Sequence, residues 1–289
     1  MFIDWNDEKH SIGIKIIDNQ HKELFLVTNQ LHEILKLEQY QDEAIKVLKN
    51  LYAYTSYHFV SEESLLKEYK YPDTEDHIRI HNSFRDKIKE SLEGVRSRRN
   101  YPLEPLQDYL VEWILKHIQV QDMQYAKYFK EHSVEMEMHF SISDEKSDDV
   151  LSQWKKRKLE LEIIDIDNQH KELIYILQQT NDLQHTSESR KKIYLPEIFK
   201  KLFYYAQYHF AYEEEHMSKN GYDLIDKQKE LHKEFISKII KFTEDYKSGL
   251  IGLTDDLIIF LKNWTIDHIL TEDKKYKQFL ESREGAENE

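Results

Sequence analysis

The chain has 289 residues, with 41 basic and 55 acidic side chains, a formal net charge of −14 and no cysteine. The lack of cysteine excludes disulfides, thiolate nucleophiles, iron–sulfur clusters and cysteine-based zinc sites. An acidic balance without a basic stripe speaks against a nucleic-acid or anionic-membrane partner.

The start, Met1 to Glu8, is acidic and lacks the basic and apolar regions of a signal peptide. No run of about 18 apolar residues is present, so no membrane span is expected. The expectation is a cytoplasmic protein of one or two domains. Six Gly and four Pro leave long stretches without breakers, which points to helices.

Residues 1–17 read as an extended arm, since Gly13 disfavours a helix there. Asp18 is expected to cap a first helix reaching about Leu37. Its apolar Leu24, Val27, Leu31, Ile34 and Leu35 follow steps of three and four, with His21 on the same face. A second helix is expected from about Asp42 to Lys70 and a third from about Asp73 to Val95. Tyr71-Pro72-Asp73 forms the turn between them. Gly94, Asn100 and Pro102 mark the break before a fourth helix, about 102 to 131. Its buried stripe is Leu106, Leu110, Trp113, Ile114, His117 and Ile118.

After a polar segment, Ser141 to Asp149, the pattern returns. Trp5 recurs as Trp154, and Asp18-Asn19-Gln20-His21 as Asp167-Asn168-Gln169-His170, both 149 residues on. His58-Phe59 with Glu62-Glu63 recurs as His209-Phe210 with Glu213-Glu214, now 151 residues on. His81, Trp113, His117 and Asp122 map to His232, Trp264, His268 and Asp273 at the same spacing. Two residues are gained between His170 and His209, near Pro196, which is expected to start or kink the second helix of that repeat. The fold class is therefore all-α, with two tandem up-and-down four-helix bundles, each with an N-terminal arm. The boundaries are set at 1–138 and 153–282, with a linker at 139–152 and an acidic tail at 283–289.

His58 and Glu62 are four apart on the second helix, as are His77 and His81 on the third, so each pair stacks on one face. With His21, His117 and Asp122, every helix of the first repeat supplies a candidate metal ligand. Five buried imidazoles would each need a polar partner, and a shared metal centre satisfies all of them. The donors exceed one metal's usual set, so two metals bridged by carboxylates fit best. Imidazole with carboxylate suits iron, zinc or copper. His117 and Asp122 are five apart, about 140° on an ideal helix. A local π-type widening is expected to bring them to one face. His10, His32, His132, His139 and His185 lie off this pattern and are expected on the surface or in linkers. Tyr125 and Tyr276 are expected to pack in the core.

These residues, in both repeats, resemble the hemerythrin family in its bacterial form. The resemblance implies two iron ions per domain, bridged by Glu62, Asp122 and a solvent oxygen. One iron would take His77, His81 and His117. The other would take His21 and His58 and leave a position where dioxygen binds reversibly. Trp113 and Ile114 would line the gas pocket, with Trp264 and Thr265 in the second repeat. The implied function is dioxygen carriage, buffering or sensing. Two alternatives are an enzyme handling oxygen, peroxide or nitric oxide at the second site, and a gas-responsive regulatory protein.

The second repeat departs at one ligand. His77 is replaced by Gln228, while His216 stands where the first repeat has Leu65. Reflection through the turn puts positions 65 and 77 at about one height in the bundle. His216 is therefore expected to replace the lost imidazole. The expected ligands are His170, His209, Glu213, His216, His232, His268 and Asp273, with Gln228 as a hydrogen-bond partner beside them.

Overall fold

The computed structural model describes residues 2–37, 40–97, 101–132, 158–184, 186–249 and 255–287. All regular structure among them is helical, and no helix is long and apolar enough to cross a membrane. The chain forms two compact units, Met1–Ser141 and Ile142–Glu289. The expected linker, Trp154, His139 and His185 lie outside the described residues.

In the first unit a short helix α1 (Asp7–His10) precedes α2 (Lys15–Ile34), α3 (Gln41–Glu68) and α4 (Thr74–Ser97). The fourth long helix is built from α5 (Glu104–Lys116), a π-helical turn (His117–Asp122) and α6 (Met123–Glu131). The inward stripes interlock: Val27, Leu31, Leu48, Leu51, Phe84, Ile88 and Leu110 are fully buried. The second unit repeats the plan with α7 (Ile164–Gln184), α8 (Glu188–Lys219), α9 (Ile225–Lys247), α10 (Asp255–His268), a π turn (Ile269–Asp273) and α11 (Lys274–Glu287). The last helix thus runs into the segment read as an acidic tail.

Local chemistry corrects several expectations. The arm is not wholly extended, because the Asn6 side chain accepts from Lys9 N–H and caps α1. Asp18 does not cap α2. It lies one turn inside, where its carboxylate accepts from Ile12 N–H at 2.8 Å and Ser11 Oγ at 2.7 Å and pins the arm to the bundle. Asp167 does the same with Leu161 and Glu162 N–H. Gly94 does not end its helix; it lies within α4, where a Cβ would overlap the Tyr101 ring. Pro196 does not start α8. Ser187 caps that helix, which continues through the proline.

The turn after α3 shows how the bundle reverses. Tyr71 N–H donates to Leu66 O at 2.9 Å and Lys70 N–H to Lys67 O at 3.2 Å, the paired bonds of a Schellman ending. This geometry needs a left-handed residue at position 70, and Lys70 has φ 51°. In the second unit Gly221, φ 67°, fills the same place without steric cost.

Candidate metal centre

The four long helices of each unit carry their ligands to one level of the core. In the first unit the donor atoms of Glu62, His77, His81 and His117 lie within 4.8 Å of one another, as do those of His21, His58 and Glu62. All are buried. The distances form a consistent set. His81 Nε2 is 3.0 Å from His117 Nε2 and 3.1 Å from Glu62 Oε2, and His77 Nε2 is 3.4 Å from the same oxygen. Asp122 divides its oxygens. Oδ1 lies 3.1 Å from His117 Nε2 and 3.6 Å from His77 Nε2, while Oδ2 lies 3.2 Å from His21 Nε2. Glu62 Oε2 also faces His58 Nε2 at 3.7 Å.

These spacings fit metal ions. Bonds of about 2.1 Å at right angles place neighbouring donors about 3.0 Å apart. Without a metal the arrangement is costly. Both oxygens of Glu62 and of Asp122, and Nε2 of His21, His58 and His77, are buried with no hydrogen-bond partner. Lone pairs converge here instead of donors meeting acceptors, and a shared cation is what such a cluster answers to.

Electrostatics agree. Burial, then the neighbouring His58, hold His21 well below the ordinary imidazole range, and burial takes His58 and His117 down to about 3. These rings are therefore neutral at pH 7, the form that ligates metal. Burial and the facing Glu62 push Asp122 well above the usual carboxylate range. Burial also acts upward on Glu62, but the nearby His77, His117 and His81 imidazoles outweigh it and hold Glu62 low.

The π turn is present where the spacing of His117 and Asp122 called for one. Met123 N–H donates to Ile118 O, five residues back, and this wider turn brings both ligands inward. A second ring of contacts orients the imidazoles and was not singled out from sequence. His58 Nδ1 bonds Gln20 Oε1 at 3.1 Å, and His81 Nδ1 bonds Glu63 Oε1 at 3.0 Å, with Arg85 on the same oxygen at 2.9 Å. Such partners set tautomer and ring orientation. The signal was available, since Gln169 and Glu214 repeat at the same offsets and bond His209 and His232 in the same way. Phe59 stacks on His81 at 3.9 Å, and Trp113 stacks on His117 at 4.3 Å. Trp113 and the buried Ile114 keep the surroundings apolar.

The second unit gathers His170, His209 and Glu213 in one group and Glu213, His232 and His268 in another. Asp273 again divides its oxygens, Oδ2 at 3.4 Å from His170 and Oδ1 at 3.3 Å from His268. Burial depresses His209 and takes His268 to about 4. His170 is raised to about 9, because bonds to Asp273 and Glu213 outweigh burial. Trp264 stacks on His268 at 4.5 Å.

His216 is not brought into this cluster, contrary to the expected swap. Its Nδ1 lies 2.6 Å from the Tyr276 hydroxyl. The reason is axial level. In an up-and-down bundle the second and fourth helices run parallel. His216 is three residues past Glu213, and Tyr276 is three past Asp273. Each steps about 4.5 Å beyond the carboxylates, so they meet each other. Gln228 is buried in the place of His77, and neither Oε1 nor Nε2 has a partner. Among the histidines read as peripheral, His10 is buried: its Nδ1 accepts from Asn6 N–H, and its ring packs 5.1 Å from Phe25. The corresponding Leu159 is also buried. His32 stacks under Phe2, and His132 is exposed.

A helical bundle that gathers buried histidines and carboxylates at one level of its core has the donor set of a metal-binding protein. The chain belongs to the hemerythrin family: residues 12–129 and 162–280 each match the Hemerythrin HHE cation binding domain. A bacteriohemerythrin of Clostridium acetobutylicum is 33% identical over 129 residues, covering 43% of this chain and 98% of that protein. One from Stenotrophomonas maltophilia is 30% identical over 128 residues, 44% of this chain and 82% of its own. One from Pseudomonas aeruginosa is 30% identical over 122 residues, 42% and 78% respectively. No solved structure matches the chain significantly.

Proposed function

We propose that each domain holds two iron ions and that the first domain binds dioxygen reversibly, for carriage, buffering or sensing. The division of the Asp122 oxygens between His117 and His21, 3.1 and 3.2 Å away, carries this reading, since it is the arrangement of a carboxylate bridging two metals. His77, His81 and His117 would hold one iron and His21 and His58 the other, with Glu62 and Asp122 across both. When bound there, a ferrous pair would supply the electrons for reversible dioxygen binding.

The protein's own part is to hold the imidazoles neutral, orient them through Gln20 and Glu63, and exclude water and protons with Trp113, Ile114 and Phe59. An apolar, tightly packed pocket favours release of the gas over proton-coupled reduction. The test is anaerobic loading with ferrous iron, then exposure to air. A visible charge-transfer band that disappears under vacuum supports reversible binding; irreversible oxidation with peroxide release rejects it. The fragment 1–138 is proposed to fold and take up two irons by itself, since Met1–Ser141 is one compact unit.

The second domain favours a different reading. Thr265 replaces Ile114 and is buried with its hydroxyl unpartnered. A polar pocket suits oxygen, peroxide or nitric oxide chemistry better than carriage.

A further inference from the structure

The second centre has one imidazole fewer than the first. In the first domain three rings, His77, His81 and His117, gather around one group of carboxylate oxygens. In the second only His232 and His268 remain, 3.1 Å apart at their Nε2 atoms. His216 does not compensate, because its Nδ1 is bound to Tyr276 at 2.6 Å.

Gln228 stands where the third ring was. It is 1% exposed, and both ends of its amide lack a partner among the described residues. Thr265 is a second unpartnered polar group of this domain's core. Elsewhere in the domain Thr180, Thr243 and Thr271 bond the carbonyl four residues back, at 3.2, 2.8 and 2.6 Å, while Thr265 does not. Two buried polar side chains without partners are expected to be satisfied by something that enters the site.

We infer that the second centre offers one ligand position more than the first, on the metal held by His232 and His268, and that Gln228 receives the small ligand that enters it. This rests on the two-metal reading above. An amide offers one acceptor and two donors. The ligand it suits both donates and accepts hydrogen bonds, as a hydroperoxide-class anion does and a neutral diatomic gas does not. The two domains would then differ in ligand class: an apolar gas in the first, a hydrogen-bonding small anion in the second.

The experiment uses the full chain loaded with ferric iron and titrated with azide, a small anion that reports open positions. Bound iron is counted by elemental analysis, and bound azide by calorimetry and its infrared stretch. The expected result is four irons and three azides per chain. Gln228→His restores the first-domain residue and drops the count to two azides with iron unchanged. Gln228→Leu keeps three, but the third binds about tenfold more weakly for want of the amide hydrogen bond. Two azides with four irons in the unaltered chain, or a count that Gln228→His leaves unchanged, overturns the inference, since the amide itself then closes the position. Three irons per chain overturns it as well. A chain that takes up no iron fails the two-metal reading first, and this inference with it.

Discussion

The Tyr276 hydroxyl and His216 Nδ1 are 2.6 Å apart, and Asn220 Nδ2 donates to the same hydroxyl at 3.1 Å. In the first domain the corresponding residues are Tyr125, Leu65 and Tyr69, and the Tyr125 hydroxyl is buried without a partner. The histidine gained in the second domain thus satisfies a tyrosine, whose hydroxyl burial pushes up to about 12. His216→Leu, which installs the first-domain residue, is expected to leave the iron content of the second domain unchanged. It should cost about 1 kcal/mol of stability, the net worth of one hydrogen bond. Metal analysis beside chemical denaturation checks both. A fall in iron would return His216 to the ligand set.

Glu62 faces rings from three helices, with His81 and His77 at 3.1 and 3.4 Å and His58 and His117 each at 3.7 Å. Glu62→Ala is expected to abolish iron uptake by the first domain and leave the second loaded, halving the iron per chain. Unchanged iron would show that the bridging role is misassigned.

At the left-handed position of the two α3-type helix endings stand Lys70 and Gly221, at φ 51° and 67°. A left-handed residue with a Cβ costs about 1 kcal/mol relative to glycine. Lys70→Gly is expected to raise the unfolding free energy of the first domain by about 1 kcal/mol, and Gly221→Ala to lower that of the second by a similar amount. Thermal unfolding should register each as a shift of a few degrees. A Lys70→Gly protein that melts no higher would mean the unfolded chain gains as much freedom as the folded turn loses strain.

Thr265 puts an unpartnered hydroxyl where the first domain has the apolar Ile114. A proton donor beside bound oxygen promotes loss of superoxide or peroxide. Autoxidation is expected to be faster at the second centre than at the first, and Thr265→Ile should slow it several-fold. Stopped-flow spectra of the full chain in which Glu62→Ala has silenced the first centre isolate the rate. No change on Thr265→Ile would remove the hydroxyl from the chemistry.

Much of this molecule was determined by covalent spacing. The 149- and 151-residue offsets reveal two copies of one bundle, because so many rare residues coincide. Steps of three and four select the buried face of each helix. The four-residue pairs His58/Glu62 and His77/His81 aim donors to one side. The five-residue step from His117 to Asp122 requires the π turn that is present. Tertiary structure decided what lies across from each side chain. His216 was read on the right helix, yet it stands beyond the level of the carboxylates and meets Tyr276 of the last helix instead of the cluster. His10 is buried through the fold of the arm, and Gly94 matters because Tyr101 comes back over it. Gln228 and Thr265 stand at legible positions, but their want of partners is visible only when every neighbouring atom has a place. Periodicity along a helix follows from backbone geometry, while contacts between helices depend on axial register and rotamer, which only packing sets.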